Sequence, residues 1–159
     1  MHKKTILVSS CLLGIPTRYD ARSSKNAWTL EIIQKIQKNY NIVPFCPEQL
    51  AGFSTPRTCI EIVGGDGVDV LQGNAKIITK NGDDVTQHML NASKLSLYIA
   101  QITQSFAFIG QNFSPSCSCS EIYDGTFSGV KCKGIGIATA QFLQNGLKLL
   151  TLDEVLQSM

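Results

Sequence analysis

The chain has 159 residues, of which 16% are charged and 43% apolar, and a formal net charge of +2. That length suits one domain with a core and is short for two, and the composition excludes a disordered chain. So weak a charge, with no basic run longer than Lys3-Lys4, argues against intact nucleic acid as a partner.

Residues 4–9 read as a short apolar strand. The basic pair before it resembles the start of a secretory signal, but only about six residues separate Lys4 from Cys11, fewer than the roughly 7–15 such a signal needs. No apolar stretch approaches the ~18 residues of a membrane helix. The expectation is a cytoplasmic protein with no membrane association, in which thiols stay reduced.

Residues 26–39 carry Leu30, Ile32, Ile33 and Ile36 at helical spacing. A second strand over 41–45 stops at Cys46-Pro47, because proline cannot donate to a ladder. Residues 59–80 alternate glycine turns with three short β-rich pieces and predict a hairpin excursion. Asp83 or Asp84 is placed to cap a long helix to about 103, with Met89, Leu90, Ala92, Leu95, Leu97, Ile99 and Ile102 as its apolar face. A buried strand over 106–109, a helix over 134–144, a strand over 147–150 and a helical turn over 152–157 complete the chain. This order predicts an α/β fold, a single three-layer, Rossmann-like domain over residues 1–159 with a small, mostly parallel sheet. Gly134-Ile135-Gly136 comes late and lacks a third glycine, so it gives dinucleotide binding little support.

Three of the six cysteines follow the ends of predicted strands: Cys11, Cys46 and Cys117. In a parallel sheet the carboxyl ends of neighbouring strands open on one crevice, so thiols distant in sequence are expected to meet there. A single buried cysteine is usually a small hydrophobe, which is the expectation for Cys59 and Cys132. The other three lie in polar, turn-forming loops. The only histidines are His2 and His88, and no C-x-x-C occurs, so ordinary structural zinc has little support. All-thiolate ligation from separated loops fits an iron–sulfur cluster better. Cys119, two residues beyond Cys117, stays a candidate fourth ligand on spacing. Glu48, two residues after Cys46, is placed to present a carboxylate for general acid–base work. Ser114 and Ser116 offer hydroxyls, Thr55-Pro56-Arg57 with Glu61 offers a buried ion pair, and Tyr123-Asp124-Gly125 is first of all a turn.

The ordered motifs Ser9-Ser10-Cys11-Leu12-Leu13-Gly14, Arg18-Tyr19-Asp20, Cys46-Pro47-Glu48, Thr55-Pro56-Arg57, Gly82-Asp83-Asp84-Val85-Thr86, Ser114-Pro115-Ser116-Cys117 and Ile122-Tyr123-Asp124-Gly125-Thr126-Phe127 together resemble the small bacterial family that includes thiouracil desulfidase. The resemblance runs from about residue 5 to about residue 150. It implies a [4Fe–4S] cluster held by Cys11, Cys46 and Cys117, with Glu48 and Ser114 assisting catalysis. The implied reaction is non-redox desulfuration of a thiolated pyrimidine such as 2-thiouracil, giving uracil and hydrogen sulfide. The implied partner is a small-molecule thiolated nucleobase or nucleotide. Gln111 stands where the family usually has lysine, Ser118 follows the third cysteine in place of glycine, and Thr58 and Cys59 replace prolines. Competing readings are a structural or electron-transfer cluster completed by Cys119, a metal-free thiol sulfurtransferase, and a zinc module.

Overall fold

The computed structural model describes residues 2–159. Its centre is a four-stranded parallel sheet in the order β2-β1-β5-β8, built from β1 (Lys4–Ser9), β2 (Tyr40–Phe45), β5 (Ser105–Ile109) and β8 (Lys148–Leu149). The period-two alternation of a strand divides the side chains between two faces. Ile6, Val8, Ala107 and Ile109 pack on one side with Trp28, Ile36 of α1 (Leu30–Gln37) and Val155 of α6 (Leu152–Gln157). Leu7 and Phe108 pack on the other with Ala100 of α4 (Thr86–Ile102) and Ala138 and Phe142 of α5 (Ile137–Gln144). These are the three layers of the expected α/β fold. A third cluster lies under the antiparallel pair β3 (Ile60–Val63) and β4 (Lys76–Thr79), where Ile62 and Ile77 meet Met89 and Ile122. Among the described residues, no helix is long and apolar enough to cross a membrane.

Several boundaries differ from the sequence reading. α1 starts at Leu30, four residues late, because the Thr29 hydroxyl accepts from Ile32 N and caps it there. The middle β-rich piece of the 59–80 segment is a helix, α3 (Gly67–Leu71). Asp66 caps it reciprocally with Asp69, and a capping box overrides the β propensity of two valines. α4 begins at Thr86 with Val85 at its cap position; Asp84 accepts from the Thr86 amide one residue early and does not cap the helix. Its buried face is Met89, Ala92, Ser93, Ser96 and Ala100, whereas Leu95 and Ile102 are exposed. Small side chains let α4 lie close on its neighbours, and so the expected broad leucine-isoleucine stripe is partly turned outward. An antiparallel pair of β6 (Glu121–Tyr123) and β7 (Lys131–Lys133), too short to leave a pattern, was not anticipated.

Asp66 also ties α3 to the distant 134–136 segment, since its second oxygen accepts from Ile135 N at 3.2 Å. Asp66→Ala is expected to lower unfolding free energy by about 1–2 kcal/mol, read as a lower urea midpoint with an unchanged slope.

Candidate functional site

β1, β2 and β5 are neighbours in the sheet and end level, with Ser9 opposite Phe45 and Val8 opposite Ile109. Each is followed by one of the three cysteines. Cys11 lies in a 3-10 turn (Ser10–Leu13), Cys46 at the cap position of α2 (Pro47–Leu50), and Cys117 in the turn after β5. All three line one cavity of about 310 Å³, together with Glu48, Ser114 and Ser116. The topology thus brings Cys11, Cys46, Cys117, Glu48, Ser114 and Ser116 together.

The Cys117 turn is fixed by close backbone packing. α5 begins at Gly136, which has no side chain to cap it. The helix amides are met by the turn itself: Ile137 N donates to Pro115 O at 2.9 Å and Ala138 N to Ser116 O at 2.8 Å. A Cβ on Gly136 would overlap the Ser116–Cys117 peptide, and one on Gly110 the Cys117 carbonyl. Gly136 is therefore a seat for the cysteine turn, with no nucleotide role required.

That turn decides where its side chains go. Ser114 Oγ accepts from the amides of Ser116 and Cys117 at 3.1 and 3.4 Å. Ser116, fully buried, donates to Glu48 Oε2 at 2.8 Å. Arg57 Nε donates to Glu48 Oε1 at 3.0 Å, and both side chains of this ion pair are largely buried. The guanidinium also donates to Thr17 O at 2.8 Å. Both carboxylate oxygens are thus engaged, and the group is held in one orientation.

The expected pairing of Arg57 with Glu61 is not formed. On β3, Ile60 and Ile62 face the third core cluster and Glu61 alternates away from it. Its buried carboxylate accepts from the amides of Gly125 and Phe127. Cys119 also departs from expectation. The backbone over 115–117 turns, and Cys119 does not line the cavity that holds Cys117. It lines a second cavity of about 460 Å³ with Trp28 and Leu149. Cys59, expected to be bland, lines the first cavity with the other three cysteines. Gln111 borders both cavities, with its side-chain oxygen buried and unpartnered.

The thiols are poor acids in this setting. Burial, and then the negative charge that Cys46 would carry, pushes Cys11 up to about 11. Burial also raises Cys46, with Glu48 adding to the rise and Arg57 opposing it. Cys117 is raised furthest, by complete burial and by Cys11 nearby, although Ser9 Oγ lies 3.0 Å from its sulfur. Three adjacent thiolates with no compensating cation would be unstable here. A cationic group with an affinity for sulfur would stabilise them and release their protons. The donor set therefore fits an iron–sulfur group in chemistry. No group of three or more His, Cys, Asp or Glu among the described residues is drawn together tightly enough for a single metal ion.

The family described as 2-thiouracil desulfurase matches residues 6–154. The chain belongs to this family. It is accordingly a C–S bond-cleaving enzyme of the thiouracil desulfidase kind. It is 44% identical over 151 residues to the uncharacterized protein YbbK of Bacillus subtilis (strain 168), an alignment spanning 94% of this chain and 97% of YbbK. The solved structure of the [4Fe–4S]-dependent thiouracil desulfidase TudS superposes with a TM-score of 0.80 at 30% identity, covering 98% of this chain and 95% of that one.

Two outcomes follow from the packing and the electrostatics. Gly136→Ala is expected to destabilise the protein by about 3 kcal/mol, measured by urea unfolding, because its Cβ would displace the backbone that carries Cys117. In protein stripped of metal, unfolded thiols ionise near 9.0 while folded Cys11 keeps its proton to about 11. The folded state thus retains this contribution below pH 9.0 and loses it as pH rises toward 11. Urea midpoints measured across that window should fall.

Proposed function

We propose that residues 1–159 act as a single [4Fe–4S]-dependent desulfidase domain that hydrolyses a thiolated pyrimidine base or nucleotide, such as 2-thiouracil, to uracil and hydrogen sulfide. The observation that supports it most is the meeting of three thiols with an oriented carboxylate in one cavity. Cys11, Cys46 and Cys117 would hold the cluster by three thiolates, and when bound it would supply Lewis-acid chemistry toward a thiocarbonyl sulfur.

The protein's own groups do the rest. Glu48, with one lone pair of each oxygen committed to Arg57 or Ser116, keeps the remaining pairs for a water in the cavity. Its carboxylate accepts a proton as that water attacks the thiocarbonyl carbon, and returns it to the departing sulfur. Ser114, anchored by two amides through its oxygen, donates its hydroxyl hydrogen to the developing negative charge. The balance is one thiocarbonyl and one water to one carbonyl and one hydrogen sulfide, with no electron transferred. A four-cysteine cluster completed by Cys119 has less support, because Cys119 borders the second cavity.

Anaerobically prepared protein should contain iron and acid-labile sulfide at about four each per chain and release sulfide from 2-thiouracil. Zinc in place of iron would overturn the assignment. Glu48→Gln should lose about 100-fold or more in sulfide release while keeping the iron–sulfur absorption. Replacing Cys11, Cys46 or Cys117 by serine should remove that absorption.

A further inference from the structure

We propose that Phe113 and Phe127 are the walls that recognise the flat ring of the substrate, and that Glu61 is the positioning residue that holds Phe127 in place. This rests on the desulfidase reading and carries it from bond cleavage to ring recognition.

Among the described residues, four that are not glycine have positive φ: Ala21, Gln104, Phe113 at 67° and Phe127 at 56°. Both phenylalanines line the cavity that holds the cysteines. The left-handed region is costly for a bulky L-residue, which puts its Cβ against the backbone. Such a conformation persists only where its surroundings over-determine it, and it is concentrated at working sites. Glycine or asparagine would meet the backbone requirement at both positions more easily. Neither phenylalanine is in the core, since both are only half-buried. Burial alone therefore does not account for a ring at either position.

The surroundings supply the constraint. Phe113 N donates to Glu121 O at 3.0 Å and to Ser118 Oγ at 3.2 Å. Its ring lies 6.4 Å from that of Tyr123, and Lys131 Nζ, which does not border the cavity, sits 3.7 Å from its centroid. Phe127 is held from β3. Glu61 Oε1 accepts from Gly125 N at 3.0 Å and from Phe127 N at 3.3 Å, and the glutamate is only 7% exposed. Gly125, at φ 89°, passes so close to β3 that a Cβ there would stand 2.5 Å from Ile62 O. A buried carboxylate on β3 thus sets the backbone that presents Phe127. Two apolar rings beside a carboxylate and three thiols suit a planar heteroaromatic thione, which aromatic faces hold by stacking. Stacking reads planarity and not the pattern of ring donors and acceptors, so these walls select for a flat ring.

The test uses anaerobically prepared protein and uracil as a sulfur-free probe. Phe127→Asn tolerates the left-handed backbone and is expected to keep its Tm and its iron–sulfur absorption. Its calorimetric Kd for uracil and its KM for 2-thiouracil should both rise about tenfold, with kcat little changed. Phe127→Tyr should restore both constants, and Phe113→Asn should act like Phe127→Asn. Glu61→Gln, which keeps an acceptor for the two amides, should bind uracil nearly as the parent does, whereas Glu61→Leu should follow Phe127→Asn. Unchanged KM and uracil affinity in Phe127→Asn overturns the proposal, as does parent protein that does not bind uracil. Uracil binding that is lost in Phe127→Asn, with no sulfide released from 2-thiouracil by the parent, overturns the desulfidase reading and leaves the ring walls standing.

Discussion

The seat of the 114–118 turn on the start of α5 is the contact on which the rest of the site depends. Helix amides that would otherwise need a capping side chain are met by the carbonyls of Pro115 and Ser116, and two glycines remove the bulk that would keep the backbones apart. Because the turn is pinned at its carbonyls, its side chains have no freedom to exchange places. Cys117 faces the first cavity, Ser116 reaches Glu48, and Cys119 goes to the second cavity. A looser loop would leave Cys117 and Cys119 competing for one position.

The same turn links two electrostatic problems. Buried thiols resist ionising, and Cys46 adds to the rise of Cys11 as Cys11 does to that of Cys117. A buried carboxylate is equally costly unless it is paired and hydrogen-bonded. Glu48 is satisfied within the protein, by Arg57 on one oxygen and Ser116 on the other. The thiols instead keep their protons, because burial disfavours their charged form. The cavity thus sets an oriented carboxylate beside buried thiols that ionise with difficulty.

Much of this was legible along the chain. The strand ends at residues 9, 45 and 109, each followed by a cysteine, are local features: apolar runs stopped by turn-forming residues. The parallel order of the elements follows from helices placed between them. Other features were not legible because they depend on partners far away in sequence. Val68 and Val70 favour a strand by propensity, yet Asp66 and Asp69 cap them into a helix. Leu95 and Ile102 have the spacing of a buried face, but the close approach of α4 selects the small residues beside them. The ion pair of Arg57 went to Glu48 because strand alternation sends Glu61 to the 124–127 loop.

The amino-acid sequence by itself determined the class of fold, the three cysteines at strand ends, Glu48 beside the second of them, and the family. These rest on local periodicity, turn chemistry and motif order, all of which act over a few residues. Only the tertiary structure decided that Cys119 leaves the cysteine cavity, that Ser116 and Arg57 grip Glu48, and that two strained phenylalanines border the same space. Those are relations between backbones separated by about 9 to 70 residues, such as Glu48 with Ser116 or Glu61 with Phe127. They are set by how closely two segments pack, which no local pattern encodes.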